Sequence, residues 1–343
     1  MKVLVTGCSG FLGASVVERL LARGEKDLRL LVRTGSKRER LDAVLRRYPD
    51  AKADVFVGSL ASVEAAGDAL DGCEIVYHLA AALGGAPADM FLNTVVTTRN
   101  LMEAMVKKKN NGHTPKLVLV SSFGVYGVAE QPRGAMVDEN TPLETHLERR
   151  DTYSQAKLRQ EQLVWDYNRK HGIPVVVLRP GVIYGPAGGA FSTRVGLSLF
   201  GLFLHLGGKN ILPLTYVDNC ADAIVVAGQT KRAEGQVYNV VDDDLVTASE
   251  YLAAYQKNVK RLKAVRVPYP ALLAISDLVT RYHAYSKGQL PAIFSPYKSK
   301  TTWGGNRFDN SKLKSIGWQP IVSTADGMAR AFEDLKSREA RAS

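Results

Sequence analysis

Cysteine is scarce in this sequence. The 343 residues include three cysteines, Cys8, Cys73 and Cys220, which are odd in number and far apart. None of them belongs to a CxxC pair. The sequence therefore predicts neither a disulfide framework nor a bound metal, and this pattern is typical of proteins in a reducing compartment. We expect a cytoplasmic protein.

The sequence also lacks long hydrophobic runs and a secretory leader. Its first residues, MKVLVTG, predict a buried strand rather than the core of a signal peptide. The apolar segment at residues 195–208 is too short to cross a bilayer. We predict a buried helix there, and a wall for an apolar substrate or a contact with a membrane surface are the alternatives.

Acidic residues are outnumbered by basic ones. The chain has 45 Lys and Arg against 34 Asp and Glu, which gives a formal net charge of +11. Such a charge favours anionic partners, for example a phosphorylated cofactor. The basic residues lie in short clusters without a nucleic-acid-binding motif, so we interpret them as solvated helix ends and loops and expect no nucleic-acid partner.

Short runs rich in Val, Ile and Leu alternate with segments of helical length. The runs span residues 2–7, 28–33, 54–60, 74–80, 116–122 and 174–180, and the helical segments include 11–23, 93–109 and 153–171. Because these runs are apolar on both faces, they predict a parallel sheet with helices on both sides.

The fold class is therefore α/β, a Rossmann doubly wound parallel sheet with a smaller C-terminal lobe. We expect the Rossmann domain, which binds the cofactor, to span residues 1–180 and to be completed by 215–242. Residues 181–214 and 243–343 then form a substrate-binding lobe.

A glycine-rich turn, TGCSGFLG at residues 6–13, follows the first strand and opens the first helix. Gly7 permits the tight turn, Gly10 lets the backbone approach a pyrophosphate, and Gly13 lets helix and strand pack closely. The helix N-terminus then faces the phosphates. In this position the motif predicts a dinucleotide site.

The end of the second strand indicates which dinucleotide binds. NAD-binding proteins place Asp or Glu there to hold the ribose hydroxyls, whereas this chain has Arg33. A guanidinium can bind a 2′-phosphate through two hydrogen bonds, and an acid would repel it. The sequence predicts NADP as the cofactor, with NAD as the alternative.

Tyr153 and Lys157 lie four residues apart in YSQAK, so a helix would place them on one face. A free tyrosine has a pKa of about 10. A nearby ammonium and a positive nicotinamide ring would favour the phenolate, which could exchange a proton with a substrate oxygen. The segment SSFGVYG (121–127), after the fifth strand, supplies a hydroxyl to hold that oxygen.

Together, TGCSGFLG, SSFGVYG, YSQAK and LRPGVIYGP (178–186) resemble the extended short-chain dehydrogenase/reductase family, often called NAD-dependent epimerases/dehydratases. The resemblance runs to about residue 335. It implies that Ser122 is the catalytic hydroxyl, Tyr153 the acid/base and Lys157 its partner. The residues that it implies against the cofactor are Gly7, Ser9, Gly10, Phe11, Leu12, Gly13, Arg33, Ser59, Leu60, Leu79, Ala80, Ala81, Tyr153, Lys157 and Pro180.

Some positions depart from the family pattern. Thr94 stands where the family has Asn, so either Asn93 or Asn100 could order the site. Ser59 replaces an Asp that contacts adenine. Val182 and Leu212 replace two polar residues that sugar-nucleotide enzymes direct at the diphosphate, and apolar side chains cannot compensate a phosphate's lost hydration.

These replacements favour the 3β-hydroxysteroid dehydrogenase-like branch, which oxidises or reduces secondary alcohols on apolar skeletons. The function predicted first is an NADP-linked oxidoreductase acting on a small-molecule alcohol or ketone. A sugar-nucleotide epimerase or dehydratase is the alternative, and a non-catalytic NADP-binding regulator is a third. The resemblance also suggests a homodimer through the helices at 93–109 and 153–171.

Overall fold

The protein is described here by a computed structural model that covers residues 1–199, 201–286 and 294–342. Its strands, in chain order, are β1 (Val3–Thr6), β2 (Asp27–Val32), β3 (Lys52–Val57), β4 (Ile75–His78), β5 (Lys116–Val120), β6 (Met136–Val137), β7 (Val175–Pro180), β8 (Val182–Tyr184), β9 (Gly196–Leu199), β10 (Leu202–His205), β11 (Leu214–Tyr216), β12 (Val237–Val240), β13 (Ala264–Arg266) and β14 (Arg307–Phe308).

The helices are also numbered in chain order. They are α1 (Phe11–Ala22), α2 (Glu39–Arg47), α3 (Val63–Ala69), α4 (Pro87–Phe91), α5 (Thr97–Asn110), α6 (Thr152–His171), α7 (Val217–Gln229), α8 (Ala248–Asn258), α9 (Tyr269–Tyr285), α10 (Pro296–Trp303), α11 (Ser311–Lys314) and α12 (Thr324–Ala342). A single π-helical turn, Leu92–Val96, joins α4 to α5.

Seven strands form one parallel sheet in the order β12-β7-β5-β4-β1-β2-β3. The chain runs outward from β1 to β3, then returns to the other side of β1 and continues through β4. The strand order therefore reverses between β1 and β4, and ligands bind at such a reversal in doubly wound sheets. The predicted α/β Rossmann fold is confirmed, and each of the six apolar runs overlaps a strand of this sheet.

Helices cover both faces of the sheet. On one face α1, α2 and α7 pack over the strands around Val17, Leu41 and Ile224, and on the other α3, α5 and α6 pack around Ala66, Leu101 and Val164. The four residues of β1 are all buried, as a central strand between two helical layers requires. The three predicted helical segments correspond to α1, α5 with the preceding π-turn, and α6.

The prediction of a buried helix at residues 195–208 is wrong. The segment forms the antiparallel pair of β9 and β10, in which Leu197 faces Leu204 and Leu199 faces Leu202. Gly201, just before β10, has a φ of +77°, which interrupts a helix but suits a reversal of the chain. Leu199 and Leu202 are each 42% exposed, so this end of the pair is not core. Phe200 lies outside the described residues.

The other strands of the described residues form smaller sheets. Strands β8 and β11 pair in parallel, and a cluster that includes Tyr184, Tyr216 and Phe332 joins them to α8 and α12. Helix α10 packs on α9. Within the described ranges, no helix is both long enough and apolar enough to span a membrane.

Candidate active site

A cavity of about 750 Å³ opens where the strand order reverses, at the carboxyl ends of the central strands. All sixteen residues that the sequence places in the site line this cavity: Gly7, Ser9, Gly10, Phe11, Leu12, Gly13, Arg33, Ser59, Leu60, Leu79, Ala80, Ala81, Ser122, Tyr153, Lys157 and Pro180. Their positions span the chain from β1 to the end of β7, so the fold rather than the sequence brings them together.

The glycine-rich turn forms the floor of the cavity between β1 and α1. Gly7 has a φ of +72°, and a Cβ atom there would lie 2.9 Å from the Ala80 backbone nitrogen. A Cβ atom on Gly13 would lie 2.1 Å from the Gly7 carbonyl oxygen. Both positions therefore require glycine, because any side chain would separate the turn from its neighbours.

The first turn of α1 has the features of an anion site. Gly10 precedes the helix without a side-chain cap, and the first turn carries no acidic residue. The first backbone N–H groups of the helix lack intrahelical partners, and the helix dipole favours negative charge there. The turn therefore fits the pyrophosphate of a dinucleotide.

A guanidinium group lies just after the end of β2. Arg33 lines the cavity, and its Nη1 donates a hydrogen bond to Asn93 Oδ1 at 3.2 Å. Arg38, which precedes α2, is instead paired with Asp42 Oδ1 at 2.9 Å. The cationic Arg33 fits an additional anionic group on the cofactor.

Ser122 and Tyr153 face each other across the inner end of the cavity. Ser122 follows β5 and accepts a hydrogen bond from the Gly124 backbone at 3.1 Å. Tyr153 lies in the first turn of α6, which Asp151 caps by accepting a hydrogen bond from the Ser154 backbone at 2.9 Å. Burial raises the pKa of the Tyr153 phenol, although a hydrogen bond with Ser122 opposes that rise.

Lys157 lies one turn further along α6 and is 3% exposed. Its Nζ donates to the Val120 carbonyl oxygen at 2.6 Å and to Gln160 Oε1 at 2.7 Å. Burial lowers the pKa of Lys157 to about 7, against a weaker opposing effect of Glu161. The sequence led us to expect a lysine charge that lowers the phenol's pKa. In the structure burial dominates at both groups and favours their neutral forms.

Neither of the two candidate asparagines contacts Lys157. Asn93 lies in the π-helical turn, where its side chain accepts a hydrogen bond from Arg33 and donates one to the Asp89 carbonyl. The side chain of Asn100 donates to the Leu60 carbonyl at 2.9 Å. Gln160, which the sequence did not single out, is the side-chain partner of Lys157. A glutamine three residues after a lysine is common on helices, so the sequence carried no signal for this role.

Several further residues line the cavity although the sequence did not assign them to it. Thr6, Ser121, Gly181 and Ile183 belong to the quoted motifs, and Leu31, Val32, Ser36 and Val120 lie in or soon after β2 and β5. The others, Ala82, Leu83, Gly84, Asp89 and Thr97, come from the segment between β4 and the start of α5. Their place in the site depends on how the chain leaves β4, which local periodicity does not predict.

Comparison with known proteins identifies the family of this chain. The sequence profile of the NAD dependent epimerase/dehydratase family matches residues 3–240. A 2-alkyl-3-oxoalkanoate reductase of Shewanella oneidensis is 29% identical over 96% of this chain and 85% of the reductase. A 3-beta-hydroxysteroid dehydrogenase of Mycolicibacterium neoaurum is 25% identical over 96% of this chain and 90% of the dehydrogenase.

Solved structures agree on the fold. The crystal structure of gox2253 superposes with a TM-score of 0.79 and covers 98% of both chains at 23% identity. At this identity the likeness concerns the arrangement of the backbone alone. The family and the branch predicted from the motifs are confirmed by the profile and the curated relatives. This chain belongs to the family of NAD-dependent epimerases and dehydratases, whose members are enzymes.

Proposed function

We propose that the protein is an NADP-linked oxidoreductase that interconverts a secondary alcohol and a ketone on an apolar skeleton. The observation that carries this proposal is that Ser122, Tyr153 and Lys157 share one cavity with a glycine-rich turn suited to a dinucleotide. When bound, the nicotinamide cofactor would supply or accept the hydride.

The chain's own residues would handle the proton and the substrate oxygen. The Tyr153 phenol is protonated at neutral pH because its pKa is raised. It can therefore donate its proton to a ketone oxygen that becomes an alkoxide. Ser122 would hold that oxygen by a hydrogen bond, and Lys157 would orient the phenol and the cofactor ribose.

The preference for NADP over NAD rests on the end of β2. Arg33 lines the cavity where an NAD enzyme has an acid. A guanidinium group suits a 2′-phosphate, since it can make charge-assisted hydrogen bonds to it.

The substrate class rests on the relatives and on the apolar side chain of Leu212. The names of the two relatives both place the reacting oxygen on carbon 3 of a largely hydrocarbon compound. Leu212 is 1% exposed and belongs to the tyrosine-rich cluster around β8 and β11, so it is not available to a diphosphate. We propose that residues 181–214 and 243–343 form the lobe that receives this substrate.

Two further parts of the proposal concern the assembly and the compartment. We propose a homodimer through α5 and α6, the helices that the family resemblance indicates. We also propose a cytoplasmic location, which the three free and buried cysteines support.

The test is to mix the purified protein with NADPH and a panel of 3-oxo acids, 3-ketosteroids and UDP-sugars. A net loss of nicotinamide absorbance with a ketone is expected. A UDP-sugar epimerase would instead convert its substrate without a net change in cofactor absorbance. Conversion of a UDP-sugar, with no oxidation of NADPH by any ketone, would contradict the proposal.

A further inference from the structure

The Lys157 ammonium is held by two neutral acceptors rather than by a carboxylate. One is the backbone carbonyl of Val120 at the end of β5, and the other is Oε1 of Gln160. The nearest acid on α6, Glu161, is fully buried but is engaged by the Arg179 guanidinium and by the Ser121 hydroxyl, which donates to it at 2.6 Å. The positive charge of Lys157 therefore has no carboxylate of its own among the described residues.

The orientation of the Gln160 amide follows from the hydrogen bonds of Thr98. The Thr98 hydroxyl donates its single proton to the Thr94 carbonyl at 2.6 Å. It can therefore only accept from Gln160, whose Nε2 lies 2.8 Å away. The amide nitrogen thus faces Thr98, and the amide oxygen must face Lys157.

The same argument extends to His78 on β4. Because the Thr98 hydroxyl has no second proton, His78 Nε2, at 2.8 Å, must be the protonated ring nitrogen. Nδ1 then accepts from the Thr6 hydroxyl at 2.7 Å, and Thr6 Oγ1 accepts from the Ala80 backbone at 3.3 Å. Two series of donors, Thr6 to His78 and Lys157 to Gln160, therefore converge on the Thr98 hydroxyl, which links the strand before the glycine-rich turn to the lysine.

Every side chain between the two ends of this chain is inaccessible to solvent. Thr6, His78, Thr98 and Gln160 are all 0% exposed. Water cannot replace a lost partner in such a place, so each group depends on the next for its orientation. The chain crosses β1, β4, α5 and α6, four elements that are distant in sequence.

We propose that Gln160 is a positioning residue, which fixes the Lys157 ammonium through the Thr6–His78–Thr98 chain and sets the pH range over which that ammonium is charged. This inference rests on the proposed function, because it assumes that Lys157 serves Tyr153 and the cofactor. Two of the three N–H bonds of the ammonium are taken by neutral groups. The third is left for the cavity that Lys157 lines.

The side chain at position 160 should therefore influence the pKa of the Lys157 ammonium that it contacts. A carboxylate there would pair with the ammonium and keep it charged to higher pH. An apolar side chain would remove one acceptor from a buried cation and favour the neutral amine. Burial already brings the pKa of Lys157 to about 7, so either change falls within an accessible pH range.

The experiment compares Gln160→Glu and Gln160→Met with the wild type. For each, kcat/KM and the Kd of NADPH are measured from pH 5.5 to 10. In Gln160→Glu we expect the alkaline loss of cofactor affinity to move up by about one pH unit or more. In Gln160→Met it should move down by a similar amount, with a kcat/KM at pH 8 lowered about 10-fold.

Gln162→Met is the matched control. Gln162 lies on the same helix, and its Oε1 accepts a hydrogen bond from Arg159 at the surface. Both pH profiles should match the wild type in this variant. Melting temperatures of the three variants would show whether each one is folded.

The outcomes separate this inference from the proposed function. If folded Gln160→Glu and Gln160→Met both retain the wild-type pH profiles, the inference is overturned. If Lys157→Ala also keeps wild-type turnover, the proposed function falls as well. If Lys157→Ala is inactive and the two Gln160 profiles do not shift, only the role of Gln160 is refuted.

Discussion

At the scale of single residues, burial favours the uncharged forms of Tyr153 and Lys157, the two candidate catalytic groups. It raises the pKa of the Tyr153 phenol and lowers the pKa of the Lys157 ammonium to about 7. Both shifts favour the uncharged form, as expected for polar groups withdrawn from water. A protonated phenol is the form that reduction of a ketone needs, which is compatible with the acid/base role proposed for Tyr153.

The first prediction concerns Tyr153→Phe. The ring of phenylalanine still packs in the first turn of α6, but the proton-exchanging oxygen is lost. We expect turnover to fall about 10²- to 10⁴-fold while the Kd of NADPH changes little. Steady-state rates with an identified ketone and a fluorescence titration of NADPH measure the two effects. Wild-type turnover in the folded variant would show that this helix is only structural.

The second prediction concerns Arg33→Asp. An acid at the end of β2 repels a 2′-phosphate and can hold ribose hydroxyls, so the preference should change from NADP to NAD. We expect wild type to bind NADPH more tightly than NADH and the variant to reverse this order. Arg46→Asp, the same charge change at the exposed end of α2, is the control and should keep the wild-type order. A wild type that prefers NADH would refute the assignment.

At the scale of elements, features formed within a few residues could be predicted from the sequence, whereas those that depend on distant segments could not. The glycine-rich turn and the Tyr153–Lys157 pair each lie within a few residues, so their geometry follows from one strand–helix junction and one helical turn. The pair of β9 and β10 was missed because a run of leucines fits either a helix or two strands. Whether this segment forms strands depends on Gly201 and on the pairing of β10 with β13, which lies about 60 residues further along the chain.

The contacts of Gln160 in the site also depend on segments that are distant in sequence. Its role arises from contacts with Thr98 on α5, and through Thr98 with β4 and β1. Each of these side chains looks ordinary in its own segment. Only the packing of the four elements turns them into one hydrogen-bonded chain, so no local pattern could have indicated it.

The third prediction contrasts two glycines in helices. A Cβ atom at Gly13 in α1 would lie 2.1 Å from the Gly7 oxygen, whereas a Cβ atom at Gly67 in α3 meets nothing within 4 Å. We expect Gly13→Ala to cost about 1–3 kcal/mol of stability and to weaken NADPH binding. Gly67→Ala should stabilise the protein by about 0.5–1 kcal/mol and leave binding unchanged.

Chemical denaturation and NADPH titration of the two variants test this contrast. The same substitution is made twice, so the difference reports the surroundings of each glycine. If Gly13→Ala binds NADPH as tightly as wild type, then the close approach of α1 to the turn is not needed for the cofactor.

At the scale of the whole molecule, the buried His78 links stability to pH. Burial lowers the pKa of His78 from 6.5 to about 3, so the folded protein keeps the ring neutral between these values. The unfolded chain binds a proton over that range. The contribution of His78 to stability therefore falls as the pH drops from 6.5 towards 3, by about 1.4 kcal/mol for each pH unit.

The fourth prediction is that His78→Asn removes this part of the pH dependence. Asn can still accept the hydrogen bond from Thr6 but does not titrate. We expect the slope of unfolding free energy against pH, measured by denaturant titration between pH 4.5 and 6, to be smaller than in wild type by about 1.4 kcal/mol for each unit. Equal slopes in the two proteins would contradict the neutral assignment of this ring.

The order of the strands in the sheet has a consequence for biosynthesis. The last residue of β7 is Pro180, and the strand that pairs with its outer edge, β12, begins at Val237. At about 5–20 residues per second, a ribosome needs roughly 3 to 11 seconds to make the chain between them. During that interval β7, whose six residues are all buried in the finished protein, has an open hydrogen-bonding edge. The nascent chain therefore passes through a stage in which a chaperone or a second nascent chain can bind that edge before β12 does.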